Sequence, residues 1–146
     1  MPENQSEPRQ RNESTLYYAL GGGLGHVTRA CALARQLARL RPGRHRVVSN
    51  TPWPDAARRL FAAEPRLELV LLPPERSVAE TQDALVEATR DASFDLLVVD
   101  TFPRGLGGEL ARLGREFQDR LGVRRRVLVS RGLPAEYVSQ WRLHEW

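Results

Sequence analysis

Apolar positions along this chain switch repeatedly between short continuous runs and a helical spacing. Leu16-Tyr17-Tyr18-Ala19-Leu20 is an apolar run of strand length. After Gly21-Gly22-Gly23-Leu24-Gly25-His26, the positions Val27, Ala30, Cys31, Ala34, Leu37 and Ala38 recur as one face of a helix, with Arg29, Arg35, Gln36 and Arg39 largely on other faces. Pro42-Gly43 ends that helix. Arg46 to Ser49 reads as a second strand, and the two prolines of Asn50-Thr51-Pro52-Trp53-Pro54-Asp55 make a loop leading into a helix from Ala56 to Ala63. Leu67 to Leu72 is a third strand, stopped by Pro73-Pro74. Ser77-Val78-Ala79-Glu80 has the spacing of a capping box, and Val78, Thr81, Leu85, Ala88 and Ala92 mark the face of a helix running to about Ala92.

Phe94-Asp95-Leu96-Leu97-Val98-Val99-Asp100 is the clearest buried strand, since parallel sheets covered on both faces need near-continuous apolar runs. Leu106, Leu110, Leu113, Phe117 and Leu121 give a strong helical stripe, with Gly122 at the position of a C-terminal cap. Arg126 to Ser130 is a fifth strand, and Leu133 to Trp146 a short final helix. Strands alternating with helices predict an α/β fold, a Rossmann-like three-layer domain with a mainly parallel sheet of about five strands joined by right-handed crossovers. Ligands in such sheets bind beyond the carboxyl ends of the strands. His26, Asn50, Thr51, Asp100, Thr101 and Arg131 all fall there. Residues 1–14, with Pro2 and Pro8 and no apolar periodicity, read as a disordered tail, and the domain as residues 15–146.

Four glycines in five positions are costly to order, because glycine loses the most backbone freedom on folding. Such a loop serves either a tight strand-to-helix turn or the close approach of a ligand to backbone N–H groups and the positive end of the helix. Two familiar ligands fail on spacing. A dinucleotide fingerprint needs a third glycine where His26 stands, and an acidic residue about 20 residues further on where this chain has Val47-Val48-Ser49-Asn50. A P-loop needs a lysine, and all 22 basic residues here are arginine. No cofactor and no metal site is expected.

What matches is Gly-Gly-x-x-Gly-His at the first strand-helix turn. It resembles the N-terminal half of GT-B glycosyltransferases, most closely the branch that includes the bacterial N-acetylglucosaminyltransferase of peptidoglycan synthesis. The likeness spans residues 15 to 133 through the order of elements and two glycine-rich loops, Gly21 to His26 and Gly105-Leu106-Gly107-Gly108. The resemblance implies an acceptor-binding domain forming one wall of a cleft, with both loops facing the acceptor and the donor diphosphate. Gly22, Gly23, Leu24, Gly25 and Thr28 match the first loop; Gly105, Gly107 and Gly108 match the second loosely. A second domain, which in that family binds most of the sugar nucleotide, has no counterpart before Trp146, so the expected partner is a donor-binding domain or subunit. The other open class is a non-catalytic module holding an anionic or nucleotide-like ligand.

Inverting glycosyl transfer needs a base for the acceptor hydroxyl, and a histidine titrating near neutrality suits it. His26 sits where a helix N-terminus favours its neutral form, so it reads either as that base or as a loop-bracing residue. Asp100 reads either as the carboxylate orienting His26 or as a cap on the next helix. Thr101 and Arg131 lie at neighbouring strand ends, where Arg131 could meet a phosphate. The formal charge of +4 comes from arginines along the chain, mostly on helix faces, and aromatics are only 7% and not interleaved with arginine, which argues against nucleic acid. Cys31 alone excludes an internal disulfide. With no signal pattern and no apolar run long enough to span a bilayer, a cytoplasmic protein without an integral membrane segment is expected, and arginine in place of lysine suits a GC-rich bacterial genome.

Overall fold

The computed structural model describes residues 13–143, so most of the expected N-terminal tail and residues 144–146 lie outside the described residues. Ten elements alternate strictly: β1 Thr15–Ala19, α1 Leu24–Leu40, β2 His45–Ser49, α2 Pro54–Phe61, β3 Leu67–Leu71, α3 Val78–Ala88, β4 Leu96–Asp100, α4 Glu109–Leu121, β5 Arg125–Val129 and α5 Ala135–Gln140. The five strands form one all-parallel sheet in the order β3-β2-β1-β4-β5. The chain therefore winds outward from β1 through β2 to β3, crosses back to β4, and continues to β5. Strand order reverses between β1 and β4, which opens a crevice at their carboxyl ends.

Successive strand residues face opposite sides of a sheet, and β1 shows how this divides the core. Tyr17 and Ala19 join Val27, Ala30, Cys31, Ala34 and Phe61 on the side covered by α1 and α2. Leu16, Tyr18 and Leu20 join Leu85, Phe117 and Leu121 on the side covered by α3 and α4. Three layers result, with β1 and β4 buried along their whole length.

Local chemistry sets the element ends. Pro54 opens α2 at a position where its missing N–H costs nothing. The capping box of α3 forms as its spacing predicts: Glu80 N–H donates to Ser77 Oγ and Ser77 N–H to the Glu80 carboxylate. That helix stops at Ala88 and not at Ala92, where the buried Thr89 hydroxyl turns back to the Leu85 carbonyl at 2.7 Å. Gly122 closes α4 in the left-handed region. Two features of α4 depart from the uninterrupted stripe that the sequence predicts: Leu106 precedes the helix, and Gly114, at φ 65° and ψ −161°, kinks it. The fold also begins earlier than Thr15. Ser14 is buried, its carbonyl accepting from the N–H groups of Asp95 and Leu96 and its hydroxyl from that of Arg44.

His45, at the start of β2, is almost wholly buried and bonds through Nε2 to the Arg41 carbonyl at 3.1 Å. Burial holds this imidazole below its ordinary value, against the opposing pull of the Arg41 carbonyl. An unfolded chain takes up a proton on His45 near pH 6.5 while the folded chain resists it, so the neutral ring contributes its full stability above that pH. As pH falls through 6.5 toward the lowered folded value, that contribution is lost. Thermal melting between pH 7.5 and 5 should therefore drop more steeply for the native chain than for His45→Gln; parallel slopes would show that His45 does not titrate in this way.

Candidate functional site

The crevice between β1 and β4 holds a compact ionic cluster. Asp100 ends β4 with no exposed side-chain surface. Its Oδ2 lies 2.9 Å from His26 Nδ1, and Arg29 closes on both carboxylate oxygens, Nε to Oδ1 at 3.0 Å and Nη2 to Oδ2 at 2.8 Å. Both histidine and arginine come from the first turns of α1, three positions apart and so on one face of the helix. Burying an unpaired carboxylate is expensive, and the two-point arginine contact is the pairing that offsets it. An ionised carboxylate only accepts, so a neutral His26 ring facing it donates from Nδ1 and has its lone pair on Nε2.

Gly21 decides where that ring lies. A Cβ built on Gly21 would come within 2.2 Å of His26 Nε2, so the imidazole occupies space that any other residue would fill. On its other side the ring stacks against Phe102, centroids 5.9 Å apart at 27°, and Phe102 in turn meets Tyr137 at 5.1 Å. The His26 side chain retains 14% exposure, and its outer ring atoms, Nε2 among them, lie against Gly21. Beneath it, the Tyr17 hydroxyl is buried without a partner among the described residues, and burial, followed by the Asp100 charge, raises its pKa strongly.

The two glycine-rich loops are built differently. In the first, Gly21 and Gly22 donate to Asn50 Oδ1 at 2.9 and 3.0 Å, which fixes the start of the loop to the end of β2. Gly22 needs its glycine for φ +72°, but Gly23 and Gly25 have open space where a Cβ would stand and no positive φ. Nothing in the protein's own packing requires glycine at those two positions. Gly23 caps α1 without a side-chain bond, and no acid occupies the helix's first turn. In the second loop the N–H groups of Leu106 and Gly107 donate to the buried carboxylate of Glu109 at 3.1 and 2.8 Å, and the Tyr18 hydroxyl also bonds it. There Gly105 makes room for Glu109, Gly107 for Val78 and Glu109, and Gly108 for the Trp141 ring. The second loop thus already holds an anion from its own chain, and those two donors are not open to a diphosphate.

Of the residues that the sequence singles out, His26, Asp100 and Thr101 come together. Thr101 turns its hydroxyl to Asp100 Oδ1 at 3.2 Å and is buried at φ 69°, so it braces the carboxylate and does not face the crevice. Gly22, Gly23, Leu24, Gly25 and Thr28 line the rim, where the Thr28 hydroxyl donates to the Leu24 carbonyl at 2.9 Å. Arg131 is exposed beyond β5 and does not enter the cluster. Sequence reasoning missed Arg29, Gly21 and Phe102 as parts of the site. The spacing of Arg29 from His26 was a usable signal; nothing local marks Phe102. A cavity of about 140 Å³ opens beyond the ends of β1 to β3 between Asn50, Pro73, Arg76 and Glu109, but neither His26 nor Asp100 lines it. Among the described residues no cluster of His, Cys, Asp or Glu is placed to hold a metal ion, and no helix is long and apolar enough to cross a membrane.

Comparisons with protein-family models, with curated proteins and with solved structures return no match.

Two variants separate the roles in this cluster. Arg29→Leu leaves the Asp100 charge buried with only His26 beside it and should lower unfolding free energy by about 3–5 kcal/mol in denaturant titrations; a loss under 1 kcal/mol would mean that Asp100 is protonated in the fold. Gly21→Ala has no positive φ to oppose it, but its Cβ displaces the ring from the buried Asp100, so it should lower the melting temperature by less than Arg29→Leu does and abolish the hydrogen-bonded Nδ1–H signal in nitrogen-15 NMR of the imidazole.

Proposed function

We propose that this domain is the acceptor-binding half of a sugar-nucleotide-dependent glycosyltransferase, with His26 as the base for an attacking hydroxyl. The observation that carries the reading is the 2.9 Å contact between His26 Nδ1 and Asp100 at the β1–β4 crevice. In a neutral ring that contact selects the tautomer with an unprotonated Nε2. In the proposed step the acceptor oxygen forms a bond to the anomeric carbon, its proton passes to Nε2, and the carbon–oxygen bond to the donor diphosphate breaks with its electron pair on the leaving phosphate. Asp100 stabilises the imidazolium that forms, while Arg29 pairs with both Asp100 oxygens and holds the carboxylate in place.

The open glycines at 23 and 25 and the uncapped α1 N-terminus support an oxygen-rich ligand at the same rim. With the second loop occupied by Glu109, the donor diphosphate is assigned to this first loop and to a donor-binding half. The uncapped helix end also suits the second reading, a non-catalytic module for an anionic or nucleotide-like ligand. That module would bind without needing the histidine.

A UDP-sugar and a panel of hydroxyl acceptors titrated into isotopically labelled protein should shift the amide signals of Gly22 to Thr28, and acceptors should also shift the His26 ring. Paired with a donor-binding half, the native chain should turn over and His26→Ala, which also removes a bond to the buried Asp100 and so should lower stability by about 1–3 kcal/mol, should lose about 10²- to 10⁴-fold in rate at temperatures where it is still fully folded. Binding that persists with no His26-dependent turnover would favour the binding module; no shift at the loop would remove both readings.

A further inference from the structure

The positive charge of this chain is concentrated in one place. Residues 104–131 carry eight arginines against three acids, a balance of +5, so the remainder of the chain sums to −1 of the formal +4. One of those acids, Glu109, is buried and bonded to the second glycine loop. The other two, Glu116 and Asp119, share α4 with Arg112, Arg115 and Arg120. Arginine along the chain is therefore densest over the segment that forms α4 and β5.

This segment builds the free edge of the sheet. Only β4 flanks β5 among the described residues, so one side of β5 presents unpaired backbone groups. Arg125 N–H donates to Asp95 and the Val129 carbonyl accepts from Thr101, which turns residues 125, 127 and 129 toward β4. By alternation the backbone groups of Arg126, Leu128 and Ser130 point outward. Val127 and Leu128 face opposite sides of the sheet and are 48% and 44% exposed. A parallel strand is ordinarily covered on both faces. Basic residues often blunt an edge, but here Arg124 to Arg126 leave Val127 to Val129 uncharged. Beside the edge, Gly114 kinks α4 and opens a groove of about 520 Å³ lined by Arg104, Arg115, Arg124 and Arg126 against the single acid Asp119.

We propose that the β5 edge is a docking site for an acidic, extended segment of a partner protein, which adds a sixth strand to the sheet. Its backbone completes the ladder at Arg126, Leu128 and Ser130, its apolar side chains cover Val127 and Leu128, and its carboxylates meet the arginines of the α4 groove. A polyanion such as nucleic acid, or an anionic lipid surface, answers the charge but offers nothing to the open ladder or to two apolar side chains on opposite faces.

The test uses the full chain and a fluorescent ten-residue peptide alternating glutamate with valine. It should bind, and it should weaken by at least about tenfold when consecutive central residues are N-methylated, a change that keeps charge and side chains and removes strand pairing. Leu128→Pro removes one outward donor without touching the bonds to β4 and should weaken binding similarly, as should Arg124→Glu combined with Arg126→Glu. If Leu128→Pro does not fold, the N-methylated peptide against the native chain decides. Absence of binding, or equal binding of the N-methylated peptide, overturns the proposal. So does tighter binding of a single-stranded oligonucleotide or of phosphatidylglycerol vesicles than of the peptide, because the arginines would then read phosphate.

Discussion

A carboxylate with no exposed surface must be held by opposite charge, and the crevice of this domain is arranged around that requirement at Asp100. Arg29 supplies the charge through two bonds, Thr101 a third contact in a left-handed backbone conformation, and His26 a fourth through Nδ1. Arg29 and His26 arrive from the start of α1, and Thr101 directly follows β4. They meet because the sheet order reverses between β1 and β4. Gly21 completes the arrangement by leaving room for the imidazole.

The two glycine-rich loops show how one composition serves two ends. At the second loop each of the three glycines answers to a neighbour inside the protein, and a buried glutamate takes the N–H groups that a ligand would otherwise use. At the first loop Asn50 takes two donors, yet Gly23 and Gly25 answer to nothing within the fold. Glycine's entropic cost at those positions is left without a structural return, and that imbalance supports placing a ligand at the first loop.

Charge follows the same division between inside and outside. Asp100 and Glu109 are consumed internally, one by Arg29 and His26 and one by backbone donors, so neither offsets the arginines of α4 and β5. The crevice and the basic edge thereby stand as separate surfaces of one sheet, joined through β4, whose last residue is Asp100 and whose outer neighbour is β5.

The order and kind of the elements were legible in the sequence, because strand runs and helical stripes are local patterns that burial on two faces of a sheet enforces. The capping box at Ser77, the proline entry to α2 and the glycine end of α4 were legible for the same reason: each is chemistry between residues a few positions apart. His26 and Asp100 were legible as candidates from their strand-end positions. Their contact, the clamp from Arg29, the glutamate inside the second loop and the placing of the arginine-rich segment 104–131 at a free sheet edge were decided by tertiary structure alone. Those pairings join residues as far apart as 26 and 100 or 18 and 109, and periodicity carries no information about which distant side chains a crossover will bring together.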